Sequence, residues 1–188
     1  MIKISGGKFK RTNLEVLERF VRPTSIAKRE TIFSILESYA LKKSFNLYSK
    51  SVILDIFAGS GSVGLEAISR GMFKVYFYEN NKDVSRILRK NCLKICSNEQ
   101  FEILEEDVML SQFSSVKELV SIIFIDPPYN KYDINKILMN DFFKNLLNEN
   151  TIIVIEKEIE KKLIINDKYK IFRLKKYKKN ILYFIKLN

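Results

Sequence analysis

Apolar residues in this chain fall into short dense runs, and the runs are separated by stretches whose apolar positions recur at helical spacing. Val52-Ile53-Leu54-Asp55-Ile56-Phe57 and Ser121-Ile122-Ile123-Phe124-Ile125 are of strand length and almost wholly apolar, as expected for strands buried on both faces of a parallel sheet. Strands are predicted to begin near Val52, Phe73, Phe101, Ser121 and Thr151, with intervening helices over 62–70, 81–96 and 134–147. Strand alternating with helix implies an α/β fold, a mostly parallel sheet covered on both faces. The tail differs, because 169–174 and 180–187 read as two strands around a Lys-rich turn. Ahead of the first core strand, a short β-like element turning at Gly6-Gly7 leads through Arg22-Pro23-Thr24 into a helix over 25–40, with Thr24 or Ser25 as N-cap. Without a repeat, a low-complexity linker or a second domain, residues 1–188 read as one domain, with 1–50 as an extension and 51–188 as its core.

The first long run leads straight into Ala58-Gly59-Ser60-Gly61-Ser62-Val63-Gly64 and then a helix. Three of the six glycines sit in this one turn, so composition alone does not account for them. Gly59-x-Gly61-x-x-Gly64 after a strand and before a helix, with Glu79 ending the next apolar run, is the arrangement that binds an adenosine-containing cofactor. A pyrophosphate is served by helix N-terminal amides and repelled by carboxylates. Asp55 nevertheless stands just before the turn, and Glu79 and Asp107 close the next two predicted strands. Three carboxylates around one cleft favour a cationic ligand, S-adenosylmethionine with its sulfonium and ammonium, over NAD.

A second signal closes the run at 121–125. Asp126-Pro127-Pro128-Tyr129 holds two of the three prolines in the chain. Proline fixes φ and removes a backbone donor, so the pair makes a rigid loop with carbonyls free to accept hydrogen bonds, beside an acid and an aromatic ring. Such acceptors at the carboxyl end of a strand suit a planar amine, since open α/β sheets bind ligands there. The plainer alternative is an exposed strand-to-helix turn capped by Asp, and for Tyr129 a place in the core.

Composition narrows the chemistry. There is no histidine, which removes the commonest general base, and two cysteines four apart at helical spacing are poor candidates for a metal site or disulfide scaffold. No apolar run approaches the roughly 18 residues of a membrane span, and the N-terminus lacks a signal-peptide core, so a cytoplasmic protein is expected. The formal charge of +11 is unevenly spread: residues 1–50 carry 11 basic and 4 acidic side chains, 51–150 carry 11 and 14, and 151–188 carry 11 and 4. Basic ends around an acidic middle suit a polyanion bound beside a site for a cation. The bland alternative, solvated lysines guarding edge strands, applies equally to Lys175-Lys176-Tyr177-Lys178-Lys179.

Asp55-Ile56-Phe57-Ala58-Gly59-Ser60-Gly61 followed by Ile125-Asp126-Pro127-Pro128-Tyr129 resembles the class I S-adenosylmethionine-dependent methyltransferases that act on exocyclic amines. Ile4-Ser5-Gly6-Gly7-Lys8, Arg22-Pro23-Thr24 and Arg29-Glu30-Thr31-Ile32-Phe33 are similar to the RsmD family, whose members methylate N2 of a guanine in 16S ribosomal RNA. The likeness spans nearly the whole chain and departs from the family at 25–28, near Lys10-Arg11, and at Lys178. It implies a Rossmann-like class I methyltransferase with a seven-stranded sheet, one strand of the closing pair being antiparallel. It also implies S-adenosylmethionine as cofactor, 16S rRNA as partner, free or in an assembling small subunit, and a monomeric enzyme without metal.

The exocyclic amine of guanine is a poor nucleophile, so catalysis is mostly orientation. The Asp126 carboxylate and Pro127 carbonyl are expected to accept its two N–H bonds, with Pro128 stiffening the loop and Tyr129 stacking on an extracted base. Asp55 and the Ala58-Gly59-Ser60-Gly61 backbone are expected to hold the methionine part, Glu79 the ribose, and Asp107 with Val108 the adenine. Phe57 and Asn80 complete the candidate cofactor set. Lys8, Lys10, Arg11, Arg22, Thr24 and Arg29 form the candidate RNA contacts. Three rivals stay open on the residues: an N6-adenine or N4-cytosine DNA methyltransferase, a nicotinamide oxidoreductase, and an RNA-binding module on an inactive methyltransferase fold.

Overall fold

The computed structural model describes residues 2–48, 50–128, 131–161 and 163–188. Tyr129, expected to stack on the base, lies outside them. Strands β1 (Ile2–Lys3) and β2 (Asn13–Leu14) pair antiparallel, and α1 (Ile26–Lys42) follows with Ser25 as N-cap, its hydroxyl accepting from the Lys28 amide. The core then alternates as the apolar runs require: β3 (Ser51–Ile56), α2 (Ser62–Arg70), β4 (Lys74–Tyr78), α3 (Lys82–Leu93), β5 (Phe101–Leu104), β6 (Leu119–Ile125), α4 (Ile134–Met139), α5 (Asp141–Lys144) and β7 (Ile152–Glu158). The hairpin β8 (Tyr169–Lys176) and β9 (Asn180–Leu187) ends the chain.

The sheet order is β5-β4-β3-β6-β7-β9-β8, with β3 to β7 parallel and β9 antiparallel to both of its neighbours. From β3 the chain winds outward to β4 and β5, then returns to β6 on the other side of β3. That reversal opens a crevice at the carboxyl ends of β3 and β6, where ligands bind in such sheets. Period-2 alternation divides the core between the two faces. Ile53, Phe77, Phe124, Val154 and Phe184 pack under the face that α1, α2 and α3 cover, whereas Leu54, Tyr76, Ile123, Ile155 and Ile185 pack against α4 and α5. On α1, Ile32, Phe33 and Leu36 are fully buried, each worth about 1.5–3 kcal/mol on burial.

The N-terminal hairpin forms as expected, with Gly6-Gly7 in a wide loop closed by Ile4 and Thr12 that docks on the end of α2: the Ser69 hydroxyl donates to the Gly6 carbonyl at 2.6 Å and the Lys8 amide donates to the Ser69 carbonyl at 2.6 Å. Two expectations are corrected. The helix expected over 134–147 is two helices, since the Asn140 side chain accepts from the Phe143 amide and starts α5 anew from an extended backbone. Strand β5 ends at Leu104, so Asp107 belongs to the following loop. Cys92 and Cys96 are both free and buried, and burial pushes both thiols up from their ordinary range. Among the described residues no helix is long and apolar enough to cross a membrane.

Candidate active site

The crevice holds a cavity of about 710 Å³, within the ~300–1,000 Å³ usual for small-molecule sites. Its floor is built at the β3–α2 joint. Gly61 sits at φ 75°, a conformation that favours glycine, and starts α2. Gly64 is needed for a different reason: a Cβ there would meet Phe77 at 2.5 Å and Val75 at 2.7 Å, so its absence lets α2 lie close on β4. The Gly64 amide donates to the Asp55 carboxylate at 2.8 Å. Asp55 is buried, and loss of hydration together with the nearby Glu79 raises its pKa to about 7 despite that bond.

Glu79 braces the turn from β4. One carboxylate oxygen accepts from the Gly59 amide at 3.0 Å and the other from the Asn81 amide at 2.8 Å, and burial raises its pKa. Phe57 and Asn80 line the same wall, linked through Tyr132: the Phe57 and Tyr132 ring centroids are 4.6 Å apart, and the Asn80 amide donates to the Tyr132 hydroxyl at 3.1 Å. Ala58, Gly59, Ser60 and Val108 also line the cavity, and Gly61 adjoins it at the start of α2. Asp107 does not line it. Its carboxylate accepts from the Met109 amide at 2.9 Å and meets the Tyr132 hydroxyl at 3.5 Å, so it props the wall from behind, and the adjacent Glu106 lines the cavity instead.

Asp126, Pro127 and Pro128 close the opposite side. Loss of hydration, then the neighbouring Glu156, hold the Asp126 carboxyl well above the usual carboxylate range, opposed by Lys28 and by a hydrogen bond from the Thr24 side chain. Thr24, a candidate RNA contact, is thus buried beside Asp126 rather than displayed. Arg29 is corrected outright. It is fully buried, paired with Glu66 at 3.4 Å, and donates to the carbonyls of Thr24, at 2.5 Å, and Lys3. Glu66 also accepts from the Ser5 amide and hydroxyl, both at 2.8 Å, so Arg29 stitches the N-terminal segment to α2 and is not displayed at the surface. Lys8, Lys10 and Arg11 are exposed but lie near the far end of α2 from the glycine turn. Only Arg22 of the four exposed candidates lines the cavity, joined by Lys28, Lys131, Lys178 and Lys179.

Several lining residues escaped the sequence reading. Phe20 and Val21 cover the glycine turn from above; a Cβ on Gly59 would lie 2.7 Å from Val21. Asn91, buried on α3, donates to the carbonyls of Ser60, at 3.0 Å, and Glu15, at 2.9 Å, pinning turn and covering segment together. Glu156, Tyr177 and Asn180 complete the wall beside Asp126.

The family model described as Conserved hypothetical protein 95 matches residues 2–186. Ribosomal RNA small subunit methyltransferase D of Haemophilus influenzae is 32% identical over 178 residues, covering 93% of this chain and 88% of its own. Among solved structures, yhhF of Escherichia coli superposes with a TM-score of 0.80 at 23% identity, covering 100% of this chain and 98% of its own. An RNA methyltransferase from Salinibacter ruber in complex with S-adenosyl-L-homocysteine shares the fold, with a TM-score of 0.62 at 14% identity over 87% of this chain and 92% of its own.

Proposed function

We infer the activity from the premise that this chain belongs to the RsmD family, the family described as Conserved hypothetical protein 95. It is an S-adenosylmethionine-dependent methyltransferase of small-subunit ribosomal RNA, acting on the exocyclic N2 amine of a guanine. What carries this reading is one cavity in which the glycine turn, with Asp55 and Glu79, faces Asp126, Pro127 and Pro128.

The wall suits the cofactor. Asp55 and Glu79 offer negative charge to a cationic ligand, the turn brings bare backbone to the surface, and the buried Ser60 hydroxyl has no hydrogen-bond partner among the described residues. In this reading Asp55 and the 58–61 backbone hold the methionine part, Glu79 and Asn80 the ribose, and Phe57 and Val108 flank the adenine. Bound S-adenosylmethionine supplies an electrophilic methyl group. The Asp126 carboxylate and the Pro127 carbonyl accept the two amine hydrogens, which pulls the nitrogen out of conjugation and turns its lone pair to the donor. As the new bond forms, positive charge grows on nitrogen. Asp126 stabilises it and, being raised in pKa, is a fit acceptor for the proton released.

The basic rim of Arg22, Lys131, Lys178 and Lys179 is the path proposed for the RNA backbone, with Lys8, Lys10 and Arg11 reaching more distant phosphates of a large substrate. An assembling small subunit offers such a surface. A monomer acting in the cytoplasm is the form proposed for the enzyme. Transfer of labelled methyl to naked DNA, naked ribosomal RNA and small ribosomal subunits tests the reading. Label is expected on guanine in RNA or subunits; label confined to adenine or cytosine of DNA would overturn it.

A further inference from the structure

Beside Asp126 the cavity wall carries buried polar oxygens that no donor of the described residues reaches. Parallel pairing of β6 with β7 runs to Ile125 opposite Ile155, and one more step sets Asp126 beside Glu156 on the same face. On β9, Asn180 continues the face of Leu182 and Phe184, and its amide donates to one Glu156 oxygen, which also takes the Lys28 ammonium. Glu156 and Asn180 are only 5% and 6% exposed. The other Glu156 oxygen, the Asn180 carbonyl oxygen and the Tyr177 hydroxyl are buried without a hydrogen-bond partner among the described residues, and all three residues line the cavity. A buried polar atom left unpaired is costly, and the Glu156 and Asn180 oxygens can only accept, so together with the Tyr177 hydroxyl they mark a place built to receive donors.

We propose that Glu156, with Asn180 and Tyr177 beside it, reads the donor edge of guanine and so selects this base for methylation; the proposal rests on the guanine-N2 reading above and names what enforces it. Guanine alone among the four bases presents three adjacent donor hydrogens, one on N1 and two on N2. Asp126 and Pro127 take the amine hydrogens, and the unpartnered Glu156 oxygen takes N1–H. Adenine and cytosine carry a ring acceptor next to their amine, which would face a carboxylate and leave both unpaired. Sites built to hydrogen-bond a substrate group discriminate strongly against analogues that lack it. Lys28 supplies the counter-charge that lets two carboxylates stand side by side.

The test uses small-subunit RNA in which the methylated guanine, once mapped, is rebuilt by splinted ligation as either guanine or 2-aminopurine. The analogue keeps the N2 amine but has an acceptor at N1. Labelled methyl transfer in a single turnover is compared for the wild-type enzyme and Glu156→Gln, with S-adenosylmethionine binding by calorimetry as the check on folding. Wild type should prefer guanine by about 10–100-fold, the range for one charge-assisted hydrogen bond, and E156Q should bring the two RNAs within about threefold by slowing on guanine alone. A wild-type enzyme indifferent to the exchange, or an E156Q enzyme that keeps the full preference, overturns the proposal. If E156Q fails to bind the cofactor, Glu156→Asp is compared in its place and should likewise lose most of the preference, because 2-aminopurine also lacks the C6 oxygen and the wild-type ratio alone does not assign the N1 contact. Absence of any methyl on guanine from the wild-type enzyme would instead sink the parent reading, and this one with it.

Discussion

The Gly64 amide donates a 2.8 Å hydrogen bond to the Asp55 carboxylate, so the acid one residue before the end of β3 both fastens the first turn of α2 and faces the cavity. Its pKa, raised to about 7, means that a cationic ligand must displace a proton from it at mildly acidic pH. Ionised Asp55 favours the ligand, so affinity for S-adenosylmethionine should fall as pH drops below about 7. Calorimetry at pH 6 in buffers of different ionisation enthalpy should register proton release on binding. Asp55→Asn should weaken binding about 10–100-fold at pH 8, the range for losing a charged hydrogen bond, and flatten the pH dependence. Undiminished pH dependence in D55N would assign the proton elsewhere.

Lys28 and Glu156 set the charge around Asp126. The ionised carboxylate is the useful form, so kcat/KM should rise with pH along an acid limb. Lys28 lowers the Asp126 pKa, so Lys28→Met should move that limb to higher pH. A pH–rate profile of K28M that stays put or moves to lower pH would refute the assignment of Asp126 as the titrating group.

Gly64→Ala separates packing from helix propensity. Alanine ordinarily gains up to about 1 kcal/mol over glycine inside a helix, but here its Cβ would stand 2.5 Å from a Phe77 ring carbon. Overpacking of this kind costs about 1–3 kcal/mol. Thermal denaturation should show a lowered Tm, and a raised one would mean that α2 has room to shift.

Arginines 22 and 29, seven residues apart, should behave oppositely. Arg29→Ala takes one of two arginines from Glu66, which keeps Arg70 at 3.1 Å, and removes the donor to the buried Thr24 and Lys3 carbonyls, so it should destabilise by about 1–3 kcal/mol, read by urea denaturation. Arg22→Ala should leave stability within about 0.5 kcal/mol while weakening RNA binding and reducing its log–log salt slope by about one. Equal stability of the two variants would contradict the buried role of Arg29.

The strand, glycine turn and helix that line the cavity were legible because each element states the same thing locally, in period, turn residues and flanking acid. The misread parts have physical reasons. Arg29 stands at i with Ile32, Phe33, Leu36 and Ala40 at i+3, i+4, i+7 and i+11, so helical period already placed it on the buried stripe of α1, against the exposure that its charge alone suggests. Glu156 follows Ile152 and Val154 at period 2, and Asn180 precedes Leu182 and Phe184 in the same way, so both continue apolar faces. That these faces meet Asp126 depends on β9 entering the sheet between β7 and β8, which no local pattern announces. Asp107 was misplaced because a run of acids hides where β5 stops.

Nucleoside mass spectrometry of small-subunit RNA tests the central claim most directly, on cells lacking this gene and on the same cells restored with wild type or with Asp126→Ala. N2-methylguanine at one position should vanish on deletion and return with wild type but not with D126A, while purified D126A binds S-adenosylmethionine within a few-fold of wild type. Full restoration by D126A, or unchanged N2-methylguanine on deletion, would contradict the account.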